Sequence, residues 1–98
     1  MQFLVTAYDF KEEGTVEKRY FVRDSHLKFL NGLIDQKKCL YAAKLEDDNK
    51  KPVGSVMIFE YPTKAELEAI LAEEPYTLNK VWDKIEIVNC VVADKFKS

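Results

Sequence analysis

Residues 53–61 read VGSVMIFEY, and the way this stretch alternates decides the fold. Its aliphatic and aromatic content marks a strand. Side chains in a strand point to opposite faces in turn, so Val56 and Ile58 oppose Met57, Phe59 and Tyr61. Neither face is polar. Residues 3–8, FLVTAY, repeat the pattern, with Phe3, Val5 and Ala7 on one side and Leu4, Thr6 and Tyr8 on the other. Residues 85–93 close the chain as a last strand in which Ile85, Ile87 and Val91 oppose Val88, Cys90 and Val92. A sheet with one wet face should turn polar at every second residue, and these strands do not.

Helical signals separate the strands. After a polar loop over residues 9–14, a helical pattern begins at Thr15, a candidate N-cap, with a second start offered by Asp24 or Ser25. Leu27, Leu30, Leu33 and Ile34, with Phe29 beside them, then form one broad apolar face. Lys37 and Lys38 suit the negative end of that helix. Residues 39–45, CLYAAKL, read as a strand, and residues 46–51 as a charged turn ended by Pro52. Thr63, three residues before Glu66, caps a second helix whose buried side is Leu67, Ile70 and Leu71. Pro75 interrupts it, so residues 76–80 form a separate helical turn.

The order β-α-β-β-α-β is that of a ferredoxin-like α+β sandwich, a four-stranded antiparallel sheet with two main helices on one face. Its other face is left bare here, and it is apolar. A single domain over residues 1–98 has no third layer to offer, so a second copy is the simplest cover. We expect a homodimer, sheet against sheet.

Composition narrows the function classes. Hydrophobic residues make up 47% and charged residues 33% of the 98, as in an ordinary folded domain. A net charge of −2 with thinly spread lysines argues against a nucleic-acid partner, and residues 53–61 lack the stacking motif of an RNA-binding sheet. Neither a secretion signal nor a membrane span is visible, which points to the cytoplasm, where Cys39 and Cys90 stay reduced packing residues. Without CxxC spacing or a second histidine, no metal site and no cofactor are expected.

The only histidine and both arginines fall within eight residues, from Arg19 through Arg23 to His26. If residues 19–26 form one helix, Arg19 and Arg23 share a face and His26 lies close to it. Two cations beside an imidazole favour the neutral form that a general base requires, and they can hold an anionic oxygen. The plainer alternative has the arginines pair with Glu12, Glu13 or Glu17 on a wet surface, with His26 half-buried in the helix. Ser55, after Gly54, offers a hydroxyl to a ligand without the context of a nucleophile. Tyr8, Tyr76 and Trp82 are candidate pocket walls, although aromatics in so small a domain are more often core.

The blocks Glu17-Lys18-Arg19, Val22-Arg23, His26-Leu27, Gly54-Ser55 and Glu74-Pro75-Tyr76 occur in the order and spacing of the YCII-related proteins, which the chain resembles over nearly its whole length. The resemblance implies a small dimeric α/β barrel in which His26 and Glu74 form a catalytic dyad lining a pocket. That family usually has Asp where Glu74 stands, and a Gly-Pro where Ala43-Lys44 stands. Two readings of function follow. One is a cofactor-free lyase or isomerase doing His-based proton transfer on a small anionic or cyclic molecule, with Arg19, Arg23, Ser55, Tyr8 and Tyr76 around it. The other is a dimeric binding or scaffolding domain without turnover.

Overall fold

The computed structural model describes residues 1–96, so the last two positions of the expected 1–98 domain lie outside the described residues. Its elements are β1 (Gln2–Asp9), α1 (Thr15–Asp35), β2 (Cys39–Glu46), β3 (Pro52–Glu60), α2 (Lys64–Ala72), the short α3 (Pro75–Leu78) and β4 (Trp82–Cys90). A single helical turn, Asp94–Phe96, follows. The strands form one antiparallel sheet in the order β2-β3-β1-β4, the ferredoxin-like α+β arrangement.

Register explains where the core ends and the polar site begins. Across β1 and β3 the helix-facing pairs run Phe3–Phe59, Val5–Met57 and Ala7–Ser55, and Asp9 follows on β1. The first four side chains are at most 1% exposed and pack with Leu30, Leu33, Leu67 and Leu71 of the helices. Ser55 and Asp9 are buried too. The same sheet face therefore turns from hydrocarbon to hydrogen-bonding groups along its length, and that end faces the first half of α1.

Beyond shifts of a residue or two, four boundaries differ from the sequence expectation, one being the end of the last strand at Cys90 rather than residue 93. Helix α1 is continuous from Thr15, because Asp24 and Ser25 are exposed on its outer side and need no break there. Gly14, with φ 92°, holds the N-cap position, and Thr15 is the first helical residue. Strand β4 begins at Trp82, not residue 85, because an irregularity between Tyr8 and Asp9 lets Asp9 pair with Trp82. The exposed Asp83 and Lys84 had masked that extension.

Both helix exits toward strands use the same closure. Lys37 and Lys80 adopt left-handed φ values of 59° and 57°. Lys38 N donates to Leu33 O at 2.8 Å and Lys37 N to Ile34 O at 2.9 Å; Val81 N donates to Tyr76 O at 2.9 Å and Lys80 N to Thr77 O at 3.2 Å. These crossed bonds satisfy the last carbonyls of α1 and α3. Lys37 thus ends its helix by backbone conformation, beyond whatever its charge contributes. The second closure delivers Val81 and Trp82 into the core at 0% and 4% exposure.

The other sheet face carries the rows Tyr41–Ile58–Leu4–Val88 and Ala43–Val56–Thr6–Glu86. It is mostly apolar, with Leu4, Val56 and Ile58 half-buried and Tyr41 and Val88 exposed. No described helix is long and apolar enough to cross a membrane.

Candidate active site

The buried positions of α1 are Thr15, Arg19, Val22, His26, Leu30 and Leu33, one stripe at helical spacing. Two ionisable side chains, Arg19 and His26, occupy core positions of that stripe, while Tyr20 and Phe21 are largely exposed. Burying such groups is costly unless partners meet them. Partners do meet them, from other elements.

His26 Nδ1 lies 2.6 Å from Glu74 Oε1, with the two residues 8% and 2% exposed. Glu74 occupies the N-cap position of α3, ahead of Pro75, and its backbone carbonyl accepts from Thr77 N and Leu78 N. Its side chain makes no cap bond and turns instead toward α1. The extra methylene relative to Asp does not keep the carboxylate from the imidazole. Glu74 Oε2 has no hydrogen-bond partner within the described residues.

Tyr76 stacks on His26 at 3.9 Å between ring centroids and 9° between planes. Trp82 meets the imidazole edge-on at 6.2 Å and Tyr76 at 5.6 Å. Burial pushes the Tyr76 phenol above its ordinary range; Arg19, and more weakly Arg23, draw it back, while Glu74 and Asp9 add to the rise.

Both terminal nitrogens of Arg19 are engaged. Its Nη1 donates to Asp9 Oδ1 at 2.8 Å and Oδ2 at 2.9 Å, and its Nη2 to Ser55 Oγ at 2.8 Å and Gly54 O at 3.1 Å. Its Cζ sits 4.7 Å from the Tyr76 ring centroid. The alternative pairing of Arg19 with Glu12, Glu13 or Glu17 does not occur, and neither terminal nitrogen is left over for a ligand anion. Burial raises the Asp9 carboxyl, with the guanidinium pulling the other way.

Gly54 is a glycine for a steric reason: a Cβ there would lie 2.4 Å from the Ala7 carbonyl oxygen. The close approach it permits is that of β1, not of a ligand.

A cavity of about 230 Å³ opens beside this cluster, walled by α1, α3, β2 and β3. His26, Arg19, Ser55 and Tyr76 line it with the apolar Leu27, Leu30 and Met57. Arg23 is exposed, lines the same cavity, and has no ion pair among the described residues. Tyr8 does not line this cavity. It lies on the open sheet face, 41% exposed, and borders a different hollow with Phe10 and Val53. Strand parity already put it opposite Ala7. Trp82 supports the dyad without lining the cavity.

Sequence reasoning missed three lining or supporting residues. Asp9 read as a loop residue, yet its parity with Val5 and Ala7 pointed it inward. Lys44, opposite Ser55, and Tyr20 at the mouth carried no signal that would set them apart. No group of three or more potential metal ligands occurs among the described residues.

This is an α+β sandwich with a buried His–Glu pair at the edge of a small cavity. The model of the YCII-related domain matches residues 1–91, and the chain belongs to that family. Among solved structures, it is similar to a 5-chloro-2-hydroxyhydroquinone dehydrochlorinase from Burkholderia phenoliruptrix AC1100, in complex with 2,5-dihydroxybenzoquinone, at 20% identity and a TM-score of 0.81. That alignment covers 97% of this chain and 98% of the other. Rv0793 from Mycobacterium tuberculosis aligns at 8% identity and a TM-score of 0.58, over 96% of this chain and 99% of its own. An antibiotic biosynthesis monooxygenase aligns at 19% identity and 0.53, over 94% and 100%. These likenesses show the fold. No curated protein matches the sequence.

Proposed function

We propose that the protein is a cofactor-free enzyme of the lyase or isomerase type, using His26 for acid–base chemistry on a small cyclic or anionic molecule, and that it works as a homodimer. The observation that carries this reading is the 2.6 Å contact between His26 Nδ1 and Glu74 Oε1 beside a cavity. With Glu74 ionised, Nδ1–H donates to it, and Nε2 keeps its lone pair for a substrate. Nε2 takes a proton from the substrate, and Glu74 stabilises the imidazolium that forms. The proton then returns to another atom in an isomerisation, or a leaving group departs in an elimination.

Arg23 is the cation left to hold an anionic oxygen. The volume supports a single ring: about 230 Å³ here exceeds the ~150 Å³ of an engineered apolar protein cavity that takes up benzene. The similar dehydrochlorinase was solved with a substituted quinone, a molecule of that size.

A thermal-shift screen of small ring anions, with 2,5-dihydroxybenzoquinone among them, tests the reading on wild type and His26→Ala. At one hundred times Kd a ligand stabilises by about 2.7 kcal/mol, of order 10 °C for a domain this size. Hits should then be turned over by wild type, with His26→Ala slower by about 10²–10⁴-fold. Turnover preserved in His26→Ala removes the histidine from the mechanism; bound ligands that wild type leaves unchanged favour the binding-domain reading.

A further inference from the structure

Arg19 and His26 stand seven residues apart on α1, two turns or roughly 10 Å along its axis. The Tyr76 ring contacts both, 4.7 Å from the guanidinium carbon and 3.9 Å from the imidazole centroid. Both contacts are of a kind that fixes a ring: a planar cation against its π-face and a parallel aromatic plane. The guanidinium is itself fixed. Asp9 accepts two bonds from Nη1, while Ser55 Oγ and Gly54 O each accept one from Nη2. Asp9 and Arg19 are 7% and 5% exposed, so neither has water as an easy substitute.

We propose that Asp9 and Arg19 are positioning residues that clamp Tyr76 and, through it, hold the His26 imidazole flat and aimed along its bond to Glu74. The clamp runs from β1 through α1 to α3 and binds no substrate itself. It accounts for a buried ion pair that the acid–base chemistry does not consume, and it assigns the two arginines different tasks: Arg19 shapes the site and Arg23 meets the ligand. Lysine cannot replace Arg19, because an ammonium lacks both the fork that matches Asp9 and Ser55 and the plane that lies on the ring. The inference rests on His26 being the reacting group of the proposed function.

The chain has one histidine, so its carbon-bound imidazole protons give an unambiguous signal in carbon–proton correlation spectra. Stacking on Tyr76 should displace those protons upfield of their values in the urea-unfolded chain. Arg19→Lys is expected to lose most of that displacement while the folded spectrum persists elsewhere. Asp9→Asn should do the same. Because that variant leaves a buried guanidinium without its carboxylate and can fail to fold, the neutral double variant Asp9→Asn with Arg19→Gln supplies the same measurement without a buried charge. Imidazole protons that overlay on wild type in Arg19→Lys and in the double variant overturn the clamp. The readout needs no substrate: a failed clamp leaves the acid–base reading standing, and turnover by His26→Ala sinks that reading while the spectra still report the clamp.

Discussion

Adding one methyl group to Gly54 should strike the fold at the point where the sheet meets the site. The new Cβ would sit 2.4 Å from the Ala7 carbonyl oxygen, inside the 3.0 Å that real Cβ contacts respect, and 3.3 Å from Leu45 Cδ1. Leu45 can swing aside. Ala7 cannot, since β1 is central and is paired to β3 on one side and β4 on the other. Relief therefore parts the β1–β3 ladder, at about 1–3 kcal/mol by analogy with overpacked cores. For a domain of this size each kcal/mol moves Tm by about 4–8 °C, so Gly54→Ala should melt roughly 5–20 °C below wild type. Gly32, in α1, is the internal control: a Cβ there meets nothing within 4 Å. Gly32→Ala should gain about 0.5–1 kcal/mol from helix propensity alone. Circular-dichroism melts of both variants decide the matter. Gly54→Ala melting with wild type, or the two substitutions shifting Tm in the same direction, would refute a close contact between Gly54 and the Ala7 carbonyl.

Other outcomes follow from single features. Ile58→Glu, at the middle of the open sheet face, should leave the circular-dichroism spectrum intact and convert a dimer to a monomer in light scattering; an unchanged mass at micromolar concentration argues against pairing through that face. With that face opened by Ile58→Glu, Cys90, half-buried on β4, should react with a thiol reagent well before Cys39, which is 3% exposed and whose thiol is pushed up by burial; equal rates would contradict the packing. Burial likewise raises Tyr61 and Tyr76 above 10.0 and Cys39 above 9.0. Each keeps its proton in the folded chain after the unfolded chain has lost it. Unfolding then releases protons, so their effect makes stability fall as pH climbs past about 9. A Tm that holds level to pH 11 would count against this.

The fold was legible because parity and element order are local properties of the chain. Residues 53–61 and 3–8 announced two apolar faces, and the Thr63–Glu66 cap appears as read, with Glu66 N donating to Thr63 Oγ1 at 3.2 Å. The start of β4 was not legible, since Asp83 and Lys84 lie on an edge strand where charge is tolerated. In the site, the family resemblance led to His26 and Glu74, and helical spacing gathered Arg19, Arg23 and His26 about one side of α1. What spacing could not supply was the partner of Arg19. Asp9 and Ser55 reach it from two strands, across separations of 10 and 36 residues, and only sheet register brings them together. Tyr8 was grouped with the cavity on its chemistry, as an aromatic wall, although parity gives the helix-facing side to its neighbour Ala7.

The imidazole and its acid are separated by 48 positions, one within α1 and the other capping α3, with the ring that supports them on the shorter helix. Chimeras assembled from divergent relatives should therefore tolerate exchange of the β2–β3 hairpin tip far better than a crossover between residues 35 and 74. A junction there would mate one parent's histidine with the other's carboxylate, and an Asp-for-Glu mismatch at that seam changes the reach by a full carbon–carbon bond.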